Sequence, residues 1–225
     1  MSFRFSIIVP ALNEGSGIKE ALTPLATWRK QGHELILVDG GSSDETVACA
    51  SPEVDRVIIS ERGRARQMNA GAAVASGDVL LFLHADTHLP GDTLSLISSM
   101  ISPQRPWGRF DVRLSGKRKM FRVIENMMNW RSRLTGIATG DQAMFVLRSQ
   151  FEMLGGFAEQ PLMEDIELSK RLRRLAWPIC IDTPLVTSSR RWEQRGVFTT
   201  ILLMWRLRLL YWLGVDAKKL AELYR

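Results

Sequence analysis

The chain has 225 residues, 45% of them apolar, and carries 30 Lys and Arg against 24 Asp and Glu, a net charge of +6. That length suits one globular domain with a sizeable core. The basic balance points to phosphate-bearing ligands, an anionic membrane surface or nucleic acid, and chooses among none of them. The two cysteines, Cys49 and Cys180, lie in no metal-type spacing, which reads as reduced thiols in a cytoplasmic protein. The opening MSFRFSIIVP lacks the apolar core of a signal peptide, so the mature chain is expected to begin there.

In chain order, FSIIVP (5–10) predicts a first strand, followed by a helix over about 16–31. ELILVD (34–39) is a second strand with a short helix from about 43, and DRVIIS (55–60) a third. RARQMNAGAAVAS (64–76) reads as a helix and DVLLFLH (78–84) as a fourth strand. Near-continuous apolar runs alternating with helices argue for βαβ units and a parallel sheet covered on both faces. Further on, a helix is expected over 91–101, a strand at 107–114, a helix over 118–133, a strand at 142–148 and a helix over 163–176. PICIDTPLVTSS (178–189) is one long strand or a strand pair. The last segment, VFTTILLMWRLRLLYWLGV (197–215), is apolar on most sides but carries Arg206 and Arg208 at its centre. Each would cost about 2.5–3.5 kcal/mol at mid-bilayer, so a spanning helix is disfavoured. Packing on the domain, on a twin chain in a homodimer, or on a membrane surface are the readings left.

Ligands of open α/β sheets bind beyond the carboxyl ends of the strands, and polar residues gather there. Strand one runs into Pro10-Ala11-Leu12-Asn13-Glu14, strand two ends at Asp39, and strand four at His84-Ala85-Asp86. If extended geometry persists, His84 and Asp86 point the same way. Imidazole plus carboxylate suits a divalent metal able to neutralise a diphosphate. The alternative is that Asp86 and Thr87 cap the following helix, or that His84 is a turn residue. In GGSSDET (40–46), Ser42 and Glu45 have capping-box spacing. Asp39 could accept a base N–H or ribose hydroxyls, or bond its own backbone. Glu164-Asp165 opens a helix; adjacent helical residues diverge by about 100°, so one of the two is expected to face the site, either as a general base or simply as negative charge that stabilises the helix N-terminus. Arg190-Arg191-Trp192 could grip phosphate or form a solvated loop.

Together these segments resemble family 2 glycosyltransferases, inverting enzymes of the GT-A fold. The resemblance rests on SIIVPALNE (6–14), LVDGGSSDET (37–46), Asn69-Ala70-Gly71 leading into ASGDVLLFLHADT (75–87), GDQAMFV (140–146) and MEDIEL (163–168). It implies an α/β GT-A domain over residues 1–192, with a mainly parallel sheet flanked by helices, and a helical segment over 193–225. It implies that Pro10, Leu12, Asn13, Glu14, Asp39, Arg64, Arg66, Ala85 and Asp86 bind the nucleotide sugar. Asp86 with His84 would hold Mn²⁺ or Mg²⁺, and Asp165 would be the catalytic base. Asp141, Glu164, Arg191 and Trp192 would lie on the acceptor side. Two departures stand out: His84 replaces the first Asp of Asp-x-Asp, and Gln67-Met68-Asn69 replaces the usual Ala-Arg-Asn, leaving Arg64 or Arg66 to serve instead. The reaction implied is sugar transfer from a nucleotide-diphosphate sugar to an acceptor that the motifs leave unnamed, at the inner face of a membrane if 197–215 docks there. A catalytically degenerate nucleotide-sugar-binding or scaffold protein is the rival that His84 keeps open. A nucleotidyltransferase would need a Gly-rich loop where ALNEGSG stands, a nicotinamide dehydrogenase GxGxxG, and nucleic-acid binding would rest on charge alone.

Overall fold

The computed structural model describes residues 3–224, and within that range every side chain but that of Arg191. β1 (Phe5–Ala11) leads to α1 (Ile18–Leu22) and, after a 3-10 turn containing Pro24, to α2 (Ala26–Lys30). Pro24 therefore splits the single helix expected over 16–31, because it cannot donate to the preceding turn. β2 (Glu34–Asp39), α3 (Thr46–Ala50), β3 (Arg56–Ile59), α4 (Arg64–Val74) and β4 (Val79–Phe82) complete the first half as predicted. β5 (Thr87–His88) and α5 (Thr93–Met100) follow. Next come β6 (Trp107–Leu114), α6 (Lys119–Thr135), β7 (Phe145–Leu147) and α7 (Arg148–Met153). The chain ends with α8 (Glu164–Leu175), β8 (Ile179–Thr187) as one strand, α9 (Arg190–Arg195), α10 (Val197–Trp212) and α11 (Ala217–Tyr224).

The strands form one sheet in the order β3-β2-β1-β4-β7-β6-β8-β5. β3, β2, β1 and β4 are parallel, with Ala11 opposite Asp39 and Ile8 opposite Phe82, so their carboxyl ends share one edge. β7 is antiparallel to both β4 and β6, and β5 is antiparallel to β8. The alternating side chains sort into two cores. Ile7, Val9, Leu35, Leu37 and Leu81 join one apolar layer, while Ile8, Ile36, Val38, Leu80 and Phe82 join the other.

α4 lies close on the second layer because Gly71 has no side chain. A Cβ there would stand 2.5 Å from Ile8 Cγ2 and 2.9 Å from Val38 Cγ2. Gly71→Ala should gain about 1 kcal/mol of helix propensity and lose more to overpacking, for a net destabilisation of about 1–2 kcal/mol. Denaturant unfolding checks this; a stabilised variant would mean the layer can part freely. Asn69, two residues before, exchanges two hydrogen bonds with the Phe157 backbone, Nδ2 to O at 2.8 Å and N–H to Oδ1 at 2.9 Å. This pins the loop that leads to α8.

Candidate active site

The first two loops at the carboxyl edge are stapled together. The Asn13 N–H donates to Ser42 Oγ, the Ser43 N–H to Asn13 Oδ1, the Gly15 N–H to Asp44 Oδ2 and the Glu14 N–H to Thr46 Oγ1, all within 2.8–3.0 Å. Ser42 and Glu45 do not form the capping box that their spacing predicts. The helix begins later, at Thr46, whose N–H donates to Asp44 Oδ1 at 3.0 Å, and Ser42 is taken up by Asp39 and Asn13. Asp39 is buried, and its carboxylate accepts the Gly41 and Ser42 N–H groups at 2.9 Å and the Ser42 hydroxyl. Three of its roughly four acceptor positions are thus filled by its own turn. Gln67, in the segment that departs from the family pattern, donates through Nε2 to the carbonyls of Ala11 and Val38 at 2.8 Å each and ties the ends of β1 and β2. Pro10 and Ala11 close β1, with Leu12 half-buried just beyond.

The chain does not stay extended through His84-Ala85-Asp86. It turns, with the Thr87 N–H donating to the His84 carbonyl at 3.1 Å, because Thr87 and His88 pair with β8 as a strand. The next helix starts only at Thr93, so Asp86 and Thr87 cap nothing. His84 and Asp86 consequently serve different surroundings. The imidazole lies against Gly140, where a Cβ would be 2.6 Å from its Nε2 and 3.8 Å from Asp165 Oδ2. Asp86 lines an open cavity of about 200 Å³ together with Glu14, Ser16, Glu20, His88 and Arg190. Arg190 reaches Glu14 across this cavity at 3.4 Å. The volume suits a phosphate or a sugar ring, below the roughly 300–1,000 Å³ of a pocket enclosing a whole ligand.

Asp165 lies in the first turn of α8. Its Oδ2 accepts the Gly140 N–H at 2.8 Å and its Oδ1 the Ile166 N–H at 2.7 Å. Burial raises its pKa against those two hydrogen bonds and the positive charges of Arg64 and Arg208. Glu164, 3% exposed, points elsewhere, toward Arg64 at 3.7 Å. Burial first, and then the neighbouring Asp165 charge, push its pKa up to about 7. The divergence expected of adjacent helical residues is therefore observed. Arg64 faces the acidic pair, whereas Arg66 is turned to Glu61 and Glu159.

Sequence reasoning missed Arg131. It projects from α6 into the protein, and its pKa is lowered to about 10 by burial and by the Arg208 charge, against Asp141 and Asp165. Its Nε and Nη2, like Oδ1 of Asp141, are buried without a hydrogen-bond partner among the described residues. α6 holds three arginines, Arg122, Arg131 and Arg133, and nothing in their spacing singles out Arg131. Trp192 packs on Leu114, Phe121 and Ile124, and the Arg191 side chain lies outside the described residues. Among the described residues, the non-glycine positions with positive φ are Asn13 (55°), Ala143 (45°) and Met163 (67°). All three sit in the loops that carry the site, where strained backbone is commonly held.

The family model for "Glycosyl transferase family 2" matches residues 6–152. The chain belongs to that family. The PGL/p-HBAD biosynthesis glycosyltransferase of Mycobacterium tuberculosis (strain ATCC 25177 / H37Ra) is 39% identical over 110 residues, 45% of this chain and 43% of that protein. The probable glycosyltransferase YdaM of Bacillus subtilis (strain 168) is 28% identical over 230 residues, 91% of this chain and 53% of that protein. The chain spans about half the length of these curated relatives. The solved mannosyltransferase PcManGT from Pyrobaculum calidifontis, in complex with GDP-Man and Mn²⁺, superposes with a TM-score of 0.66 at 23% identity, over 92% of this chain and 61% of that one. S. aureus TarS 1-349 in complex with UDP-GlcNAc does so with a TM-score of 0.66 at 20% identity, over 82% and 58%. The fold of this family 2 chain is GT-A, as its motifs imply.

For a metal, the described residues of this family 2 domain assemble no group of three His, Cys, Asp or Glu. The half-buried Asp86 carboxylate makes no hydrogen bond or ion pair with a described residue and lines the cavity. It fits a cation bound through one protein carboxylate and completed by substrate oxygens, a habit of Mg²⁺.

Proposed function

We propose that the chain is a glycosyltransferase that moves a sugar from a nucleotide-diphosphate sugar to an acceptor hydroxyl, with inversion, and that Asp165 is its general base. The observation that carries this reading is the Asp165 carboxylate, aimed by the Gly140 and Ile166 N–H groups beside His84, at the edge where β1, β2 and β4 end. The acceptor oxygen bonds to the anomeric carbon, the bond from that carbon to the diphosphate oxygen breaks, and the hydroxyl proton passes to Asp165. The transition state is oxocarbenium-like. Asp39 keeps about one acceptor position for a base N–H, and the stapled loops of Asn13 and Glu14 frame the nucleotide. Arg190, which lines the Asp86 cavity, and Arg64, beside the acidic pair, are the cations assigned to phosphate. Mn²⁺ or Mg²⁺ at Asp86 would offset the charge of the leaving diphosphate. The buried polar atoms of Arg131 and Asp141 are suited to acceptor hydroxyl or anionic groups.

The reading is supported by the family membership and by solved neighbours described with GDP-Man and Mn²⁺ and with UDP-GlcNAc. Residues 1–192 are taken as the transferase domain and 193–225 as a helical extension. A cytoplasmic chain working at the inner face of a membrane fits the exposed apolar side of α10 and the two free cysteines. A curated relative described as a beta-monoglucosyldiacylglycerol synthase, 26% identical, has a lipid in its name.

Thermal shifts with UDP, GDP, CDP and dTDP, each with Mn²⁺, Mg²⁺ or EDTA, test the donor side. One nucleotide should raise the melting temperature with metal and not with EDTA, since a ligand of the folded state stabilises it. Asp86→Ala should erase the metal dependence. A metal-dependent shift that survives in Asp86→Ala would remove Asp86 from the site.

A further inference from the structure

We propose that α6 and α10 together form a face that seats on an anionic lipid bilayer. This deepens the membrane part of the reading above and rests on it, but not on the transfer chemistry. α10 exposes Phe198, Leu202, Trp205, Leu209 and Trp212 along one side, at helical spacings of three and four. α6 exposes Met120, Val123, Met127, Trp130 and Leu134 at the same spacings. Its inner side packs instead through Phe121 and Ile124 on a cluster that Val197 and Ile201 of α10 also join, so the two helices share one apolar seam. Trp130, Trp205 and Trp212 are 67%, 58% and 75% exposed, unusual for indoles in a folded protein. No helix among the described residues is long and apolar enough to cross a membrane.

Charge selects the occupant. Residues 117–135 hold six Lys and Arg, of which Arg131 turns inward, against one carboxylate, and residues 190–225 hold eight against three. The net +6 of the whole chain therefore comes from these two segments, and the remainder is acidic, with 16 Lys and Arg against 20 Asp and Glu. A second copy seated on the same face would set like charge against like, since a twofold contact pairs each patch with itself. An anionic bilayer offers opposite charge to the cations and an apolar layer to the stripes, the arrangement of an interfacial helix pair. The inner side of α10 meets the start of α8, with Leu207 and Met204 packed among Met163 and Ile166. Asp165 thus lies about one helix diameter, roughly 10 Å, behind the proposed membrane surface.

The test is flotation with vesicles of phosphatidylcholine alone and with a quarter phosphatidylglycerol, together with tryptophan emission. The chain should float with the anionic vesicles at low salt, shift its emission to the blue, and release as ionic strength rises toward about 0.5 M. The combined variant Trp130→Ala, Trp205→Ala, Trp212→Ala should partition about tenfold less or weaker still. Each single substitution should give a smaller drop. The melting temperature and the nucleotide-induced shift should be unchanged, so that loss of membrane binding and loss of the donor site read separately. Three results would overturn the proposal: no flotation at low salt, a triple variant that floats like the parent, or light scattering that finds a dimer the triple variant dissolves.

Discussion

Asp165→Asn is expected to lower turnover about a thousandfold while donor binding survives. A positioned general base contributes roughly 10²–10⁴ in rate, and the amide cannot take the acceptor's proton. The substitution also has a structural cost. The carboxylate serves two backbone N–H groups, those of Gly140 and Ile166. An amide has one oxygen, so one N–H loses its acceptor, for about 1–3 kcal/mol. Turnover should be compared with the nucleotide-induced thermal shift of the same variant. Near-parental turnover would exclude Asp165 as the base. The pH profile gives an independent reading. Burial holds Asp165 above the ordinary carboxylate range, so the acid limb of kcat should sit above that range too.

Glu164→Gln is expected to stabilise the fold at neutral and alkaline pH. The pKa of Glu164 is about 7, above its ordinary 4.5, because burial and Asp165 disfavour its charge. Below about 4.5 the carboxyl is protonated in folded and unfolded chains alike, and parent and variant should melt together. Between about 4.5 and 7 the unfolded chain ionises first, so the parent loses stability that the variant keeps. Above about 7 the gap should level off near 3 kcal/mol, taking about 1.4 kcal/mol for each pH unit between the two values. For a chain of this length that is about 6–12 °C in melting temperature. Melting curves across this pH range decide it. A variant less stable than the parent at pH 8 would mean that the Arg64 contact at 3.7 Å outweighs the cost of burying the charge.

The first half of the fold was legible because its strands are buried on both faces and read as apolar runs. β2 is buried at every position and begins and ends where ELILVD does. The second half was less so. β7 has three residues and is recognisable only through its partners β4 and β6, and β5 has two. Short strands of this kind are set by tertiary pairing, which leaves no period in the sequence. The site followed the same division. Asp39, Glu14 and Asp165 stand out as carboxylates at element ends. The placement of His84 against Gly140 depends on a turn at Ala85-Asp86 that is enforced by pairing with β8. Arg131 was hidden because nothing in α6 alone tells which arginine turns inward.

The position of β7 has a consequence for how the chain is assembled. β1 to β4 pair through nearby βαβ segments and can form early, but β4 has β7 as its other neighbour. Thr87 of β5 waits for Thr187, 100 residues later. Non-local pairings of this kind are slow to close. Until β7 arrives, Leu80 and Leu81 lie on an open edge strand, and such an edge invites pairing with other chains. The helix bearing Asp165 comes later still. A newly made chain therefore completes the loops around Asp39 first, and its catalytic half only once the edge that endangers it has been covered.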